Sequence, residues 1–295
     1  MNNIAIVSES GTFKGVFTQG VLDAFEEYKI EPYMIGCSSS STVSGCFFTA
    51  GISRKMGLQY WKDVVSMRIN GHSMSDITFK SIEKYSHHVK SKILKESKIN
   101  LAIATSFVFN KEGAKITQGK QSKRLGKKLL ISSLRRDNSW TKENLRKVIF
   151  SNNTFSNFTK ITDTNFEEVL YSTSRMMHEW DVPAWIDGKP YIDASYTCSC
   201  MVDDVALIDN IDSIIVIGIN PEGVYSDIFM NKKITAKDYK NVDVKFILPK
   251  YDLKEVGVDY TMASIDGIEK AYNHGYEQGI SFCKNNLTKE ILRNG

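Results

Sequence analysis

The chain has 295 residues, 42% hydrophobic and 24% charged, which is an ordinary globular composition and long enough for a single α/β domain. Its 38 Lys and Arg against 34 Asp and Glu leave a formal charge of +4, too small a bias to imply a nucleic-acid partner. No apolar run approaches the roughly 20 residues of a membrane span. The start lacks the regions of a secretory signal, and Cys37, Cys46, Cys198, Cys200 and Cys283 fit neither a disulfide framework nor a zinc pattern. Reduced thiols, a cytoplasmic location and no metal or cofactor are the expectations, while the oligomeric state is not written in the sequence.

Ile4 to Val7 reads as a buried strand ending in Ser-Glu-Ser-Gly. Val16 to Tyr28 has helical apolar spacing, Tyr33 to Gly36 is a second strand, and Ser41 to Ala50 a second helix. Strand, loop, helix, strand, sharp turn and helix in that order predict an α/β fold: a mainly parallel sheet with helices on both faces. Further strands are predicted at Leu101–Ala104, Ser213–Ile219 and Val242–Leu248, and a helix from Ala263 to Lys284. Two hairpins are predicted, one around Asn110 to Gly113 and one around Asp187-Gly188. No repeat or linker divides the chain, so residues 1–295 read as one domain.

The stretch 120–147 is strongly basic, and the polar Ser151 to Lys160 follows it. Together, 120–160 is expected to form surface helices or a lid-like insertion. A solvated basic face is the plain interpretation of 120–147; peripheral contact with anionic lipid head groups is the sharper one.

Three separated segments could carry chemistry. Glu9-Ser-Gly-Thr-Phe-Lys-Gly15 joins a strand to a helix and could aim backbone N–H groups at an anion. It is no nucleotide loop, because Val16 follows Gly15 where Ser or Thr would be needed after Lys. Gly36-Cys-Ser-Ser-Ser40 sits between strand and helix, where a serine hydroxyl is thrust out at the top of a sheet. Tyr191-Ile-Asp-Ala-Ser195 brings an acid off the end of a strand. Taken singly, these are equally a turn, a helix cap and a loop carboxylate. Three of the five histidines, His87, His88 and His178, could tempt a triad or metal reading, but they lack partners at ligand spacing and read as surface residues.

Together the segments resemble the patatin-like phospholipase family. The family's Glu-Gly-Gly-Gly-x-Arg-Gly start falls on Glu9 to Gly15, followed by Gly20-Val-Leu-Asp-Ala-Phe25. Its Gly-x-Ser-x-Gly falls on Gly36 to Ser40, and its Asp-Gly-Gly/Ala segment on Pro183 to Ser195. The resemblance covers 1–65, 99–118 and 170–280. It implies a serine acyl hydrolase acting on lipid or other acyl esters through a Ser–Asp dyad. Ser38 would be the nucleophile, Asp193 its base, the Gly11 and Thr12 N–H groups the oxyanion hole, and Lys14, Gly15 and Gly36 supporting residues. Ser10, Thr12, Ser40, Ala194 and Ser195 depart from family glycines. Thr12 is the expected weak point, since a β-branched residue tolerates positive φ poorly. Acyl transfer, including from thioesters, and a catalytically impaired binding module are the alternatives.

Overall fold

The computed structural model describes residues 3–291. Strand β1 (Ile4–Ser8) leads through a short turn into α1 (Gly15–Glu27), then β2 (Met34–Ser38), α2 (Ser41–Thr49), α3 (Ser53–Ile69) and α4 (Met74–Ser91). Next come β3 (Asn100–Val108), α5 (Lys111–Thr117), α6 (Ser122–Leu134), α7 (Ser139–Asn144), β4 (Leu145–Ser151) and β5 (Thr159–Lys160). The second half runs α8 (Phe166–Ser174), β6 (Ala184–Ile186), β7 (Lys189–Ile192), α9 (Val202–Val205) and β8 (Ser213–Ile217). It closes with β9 (Val224–Tyr225), β10 (Lys233–Ile234), β11 (Asp243–Ile247) and α10 (Ile265–Ile291).

The main sheet runs β11-β8-β1-β2-β3-β4-β5. The strands from β11 to β3 are parallel, and β4 and β7 join β3 antiparallel. The central strands are buried on both faces, which is why they read as apolar runs rather than alternating ones. Alternation decides only the face. Ile6, Ile35 and Ile103 belong to the larger core beneath α1, α2, α3, α4, α8 and α10, whereas Ala5, Val7, Met34 and Ala104 face α9 and its flanking turns. Helix α1 lies unusually close to α10: a Cβ on Gly20 would stand 2.1 Å from the Tyr272 carbonyl oxygen.

The Asp187-Gly188 turn forms as predicted, with φ of +49° and +72° joining β6 to β7. The other predicted hairpin does not form. Phe107 and Val108 instead extend β3, and Asn110 caps α5 by accepting the Glu112 and Gly113 N–H groups. The basic stretch also divides in a way its composition hid. Its first part is surface helix, but its end is β4, a full partner of β3, and Lys147 there is paired with Asp204 at 2.6 Å.

Candidate active site

Two strands share one edge of β3, because its other edge is taken along its length by β4. Strand β2 runs up that edge until Ser38 pairs with Ala104, and β7 runs the opposite way, its last pair being Ile192 with Ser106. Their ends therefore meet head-on beside Thr105. The residue after β2 is Ser39, and the residue after β7 is Asp193. The Ser39 hydroxyl donates to Asp193 Oδ2 at 2.8 Å.

This corrects the expected register of the turn. Ser38 is still a paired strand residue, fully buried, with its hydroxyl among core groups beside the Cys198 thiol. Ser39 is the apex: its φ is +54°, the left-handed value a sharp strand-to-helix turn demands. Its N–H donates to Thr173 Oγ1 at 2.9 Å, and that hydroxyl donates to the Ala104 carbonyl at 2.7 Å. Ser40 and Ser41 take up the helix without strain. Ser40 has φ of −62° and ψ of −27°, so no glycine is needed there. The Ser41 hydroxyl accepts the Ser38 N–H at 3.1 Å and ties the turn closed. Gly36 is required by proximity, since a Cβ there would lie 2.7 Å from Met201 Sδ.

Asp193 is buried and firmly held. Its N–H donates to the Arg175 carbonyl at 3.0 Å, its Oδ1 accepts the Ser195 N–H at 2.7 Å, and its carbonyl accepts the Ser106 hydroxyl at 2.7 Å. Burial raises its carboxyl pKa to about 6, against the lowering effect of those hydrogen bonds. A carboxylate so destabilised is a stronger base than an exposed one.

The loop from Glu9 to Lys14 stands opposite. The Gly11 N–H donates to Ser40 Oγ at 3.2 Å, so Ser40 engages one of the two expected oxyanion donors. A Cβ on Gly11 would stand 2.4 Å from Ile219 Cδ1. Thr12 adopts φ of +48° despite its branched side chain, so the strained backbone expected to be refused is present. Gly15 is packed against Trp61 and the Ser40 hydroxyl, each about 3 Å from where its Cβ would be. Lys14 is buried and aims away from the dyad: its ammonium meets Asp252 at 2.9 Å and Asn220 at 3.0 Å, and lies 4.7 Å from the centre of the Tyr260 ring. Glu9 is buried, accepts the Ile219 N–H at 3.0 Å, and has its pKa raised by burial to about 7.

Two cavities meet at Thr12 and Phe13. The first is narrow, about 80 Å³, and runs from Ser39 and Ser40 between α2, α3 and α4, walled by Val43, Phe47, Trp61, Val64, Ile77 and Val89. The second is an open vestibule of about 650 Å³, lined mostly by apolar side chains such as Leu130, Met176 and Ile228, with Glu9, Arg68, His178 and Asn220 set among them.

Sequence reasoning missed Thr173 and Arg175, which hold the two halves of the dyad. Arg175 is fully buried; its guanidinium donates to the Thr117 and Val182 carbonyls while its own carbonyl holds Asp193. The signal was the polar run Ser172-Thr-Ser-Arg175 directly after Val169-Leu-Tyr171. His178 reaches the vestibule but makes no contact with the dyad, and burial lowers its pKa. His87 and His88 are exposed; although adjacent in sequence, their rings touch, with centroids 3.8 Å apart. All five cysteines are buried free thiols, and no group of residues suited to a metal occurs among the described residues.

No known family model matches the chain, and no curated protein sequence matches it either. Among solved structures it is similar to VipD from Legionella pneumophila, with a TM-score of 0.45 and 10% identity over 97% of this chain and 67% of that one. A likeness this loose carries nothing about chemistry, which rests on the residues just described.

Proposed function

We propose that the protein is a serine acyl hydrolase of the patatin-like type, with Ser39 as nucleophile and Asp193 as its base. The observation that carries this reading is one contact: a hydroxyl at a left-handed strand-to-helix apex, donated at 2.8 Å to a buried carboxylate whose pKa is raised to about 6. The narrow apolar cavity beginning at Ser39 suits an acyl chain, and the wider vestibule, largely apolar with a few polar groups in its lining, has room for the rest of the ester.

In the reaction Asp193 takes the Ser39 proton as Oγ attacks the acyl carbonyl carbon. The carbonyl oxygen becomes an oxyanion, stabilised by N–H donors of the Gly11–Thr12 loop. The tetrahedral species collapses by breaking the ester C–O bond, and the proton on Asp193 passes to the departing alcohol oxygen. Water then attacks the acyl-serine. Asp193 accepts a water proton and returns it to Ser39 Oγ as the acid leaves.

A second reading, a binding module with impaired catalysis, draws on the Ser40 hydroxyl engaging the Gly11 N–H. Fluorophosphonate labelling with peptide mapping separates the two. The hydrolase reading expects label on Ser39, its loss in Ser39→Ala, and its retention within a few-fold in Ser38→Ala. A folded wild-type protein that takes no label from short- or long-chain probes would leave only the binding module. Label on Ser38 would overturn the register.

A further inference from the structure

Helix α6 presents two unlike surfaces. Inward, Leu125 and Leu129 pack with Val108, Leu145, Met177 and Tyr196, and Gly126 lets the helix lie against the backbone of His178. Outward, Lys123, Arg124, Lys127 and Lys128 are exposed. With Lys120, Arg135 and Arg136 they make seven cations between positions 120 and 136, a span with no carboxylate. None of the seven forms an ion pair among the described residues.

The last turn of the same helix hangs over the vestibule mouth. Ile131 is 55% exposed and Leu134 86% exposed, and both line that mouth. Met230 and Tyr260 line it as well, each 42% exposed, and Met262, close by in sequence, is 71% exposed. Single exposed apolar side chains are ordinary, but four gathered on the rim of one opening form a patch. A patch rimmed by unpaired cations is the pattern of a surface that lies in a lipid interface.

We propose that this rim is a docking face for an anionic lipid bilayer. Cations of α6 and its flanks draw the protein to the head groups. Ile131, Leu134, Met230 and Tyr260 enter the boundary with the acyl region and seal the vestibule mouth onto it. A lipid can then reach Ser39 without carrying its chain through water. That use rests on the acyl-hydrolase reading; the docking itself does not. A second copy of the chain is disfavoured as occupant, because a two-fold contact would set these cations against one another. Nucleic acid would satisfy the cations and leave the apolar rim wet.

The test uses full-length Ser39→Ala protein and flotation with two kinds of vesicle: phosphatidylcholine alone, and an equal mixture with phosphatidylglycerol. Binding is expected to the mixed vesicles and to fall about ten-fold between low and physiological salt. The Lys123→Glu/Lys127→Glu double variant should lose about ten-fold at low salt. In the catalytically intact chain that double variant should hydrolyse a soluble short ester at the wild-type rate. Leu134→Ser should weaken what binding survives at high salt, where screening leaves the apolar contribution exposed. Failure to bind mixed vesicles, or binding unchanged by both variants, overturns the proposal. So does self-association in sedimentation velocity that Leu134→Ser abolishes, which would give the face to a second copy. Vesicle binding together with an inert Ser39 would sustain the docking face and sink the hydrolase reading.

Discussion

The two loops that face each other across the site both carry side chains where the resembling motifs have glycines, and the difference means different things in each. At the Ser38–Ser41 turn, Ser40 and Ser41 stand in helical or near-helical backbone, so the added side chains cost little, and Ser41 even closes the turn. The one strained position there is Ser39, whose φ of +54° comes with its hydroxyl donated to Asp193 at 2.8 Å. In the Glu9–Thr12 loop the added side chain falls at a positive φ, and Thr12 carries strain with no hydroxyl role to explain it. A missing glycine is therefore informative only when the backbone conformation at that position is known.

The largest effect expected on the turn side comes from its partner carboxylate. Asp193→Asn keeps the shape and removes the base, and should lower turnover about a thousandfold. Wild-type activity should rise with pH through a midpoint near 6, where Asp193 ionises. The same variant should be more stable than wild type at pH 7. A pKa raised from 3.8 to about 6 means that the folded state holds the proton more tightly than the unfolded state. The cost of the buried charge is absent below pH 4, grows between 4 and 6 and is complete above 6. At about 1.4 kcal/mol per pKa unit it amounts to about 3 kcal/mol. Denaturant melts of both proteins across pH 4 to 7 should converge at the acid end; parallel curves would show that Asp193 is not a destabilised carboxylate.

A smaller effect concerns the cavity behind the turn. Thr42 lines it with a buried hydroxyl that has no hydrogen-bond partner, so Thr42→Leu should fold at least as well as wild type. It should plug the cavity near Ser39 and shift the ratio of long-chain to short-chain ester hydrolysis by about ten-fold toward short chains. An unchanged ratio would move the acyl chain into the vestibule.

The smallest effects test the loops against each other. Thr12→Gly relieves a strain of about 1–3 kcal/mol but adds about 1 kcal/mol of unfolded-state entropy, so melting should show a gain near 1 kcal/mol. Ser40→Gly should leave stability nearly unchanged and release the Gly11 N–H, raising turnover a few-fold. A fall in turnover on Ser40→Gly would instead make the Ser40 hydroxyl part of the oxyanion hole.

The strand-loop-helix order at the start was legible because apolar runs and helical spacing carry it directly. The place of Asp193 just past the end of β7 was legible because the Asp187-Gly188 turn fixes where that strand ends; its role was only what the resemblance implied. The apex serine was misplaced by one residue. Four adjacent serines offer no chemical contrast, and Gly36 anchored the motif although its necessity comes from Met201 and not from the apex. What fixes the apex is the length of the ladder with β3, a partner some sixty residues away, to which local pattern is blind. The failed hairpin has a similar origin: Asn110 and Gly113 suit a turn and a helix cap equally, and only the pairing of β3 with β4 decides.

The distances along the chain between the site's parts have a bearing on synthesis. Ser39 and Asp193 lie 154 positions apart, and Lys14 is anchored to Asn220 and Asp252, 206 and 238 positions further on. A ribosome that has released the first half of the protein has exposed the serine but neither its base nor the anchor of its facing loop. On the acyl-hydrolase reading, the nascent chain cannot act on an ester until most of the protein has emerged and β7 has reached β3. Reactivity of Ser39 is thus a reporter of completed folding, and the rate at which a refolding sample becomes labelled should follow its slowest long-range pairing.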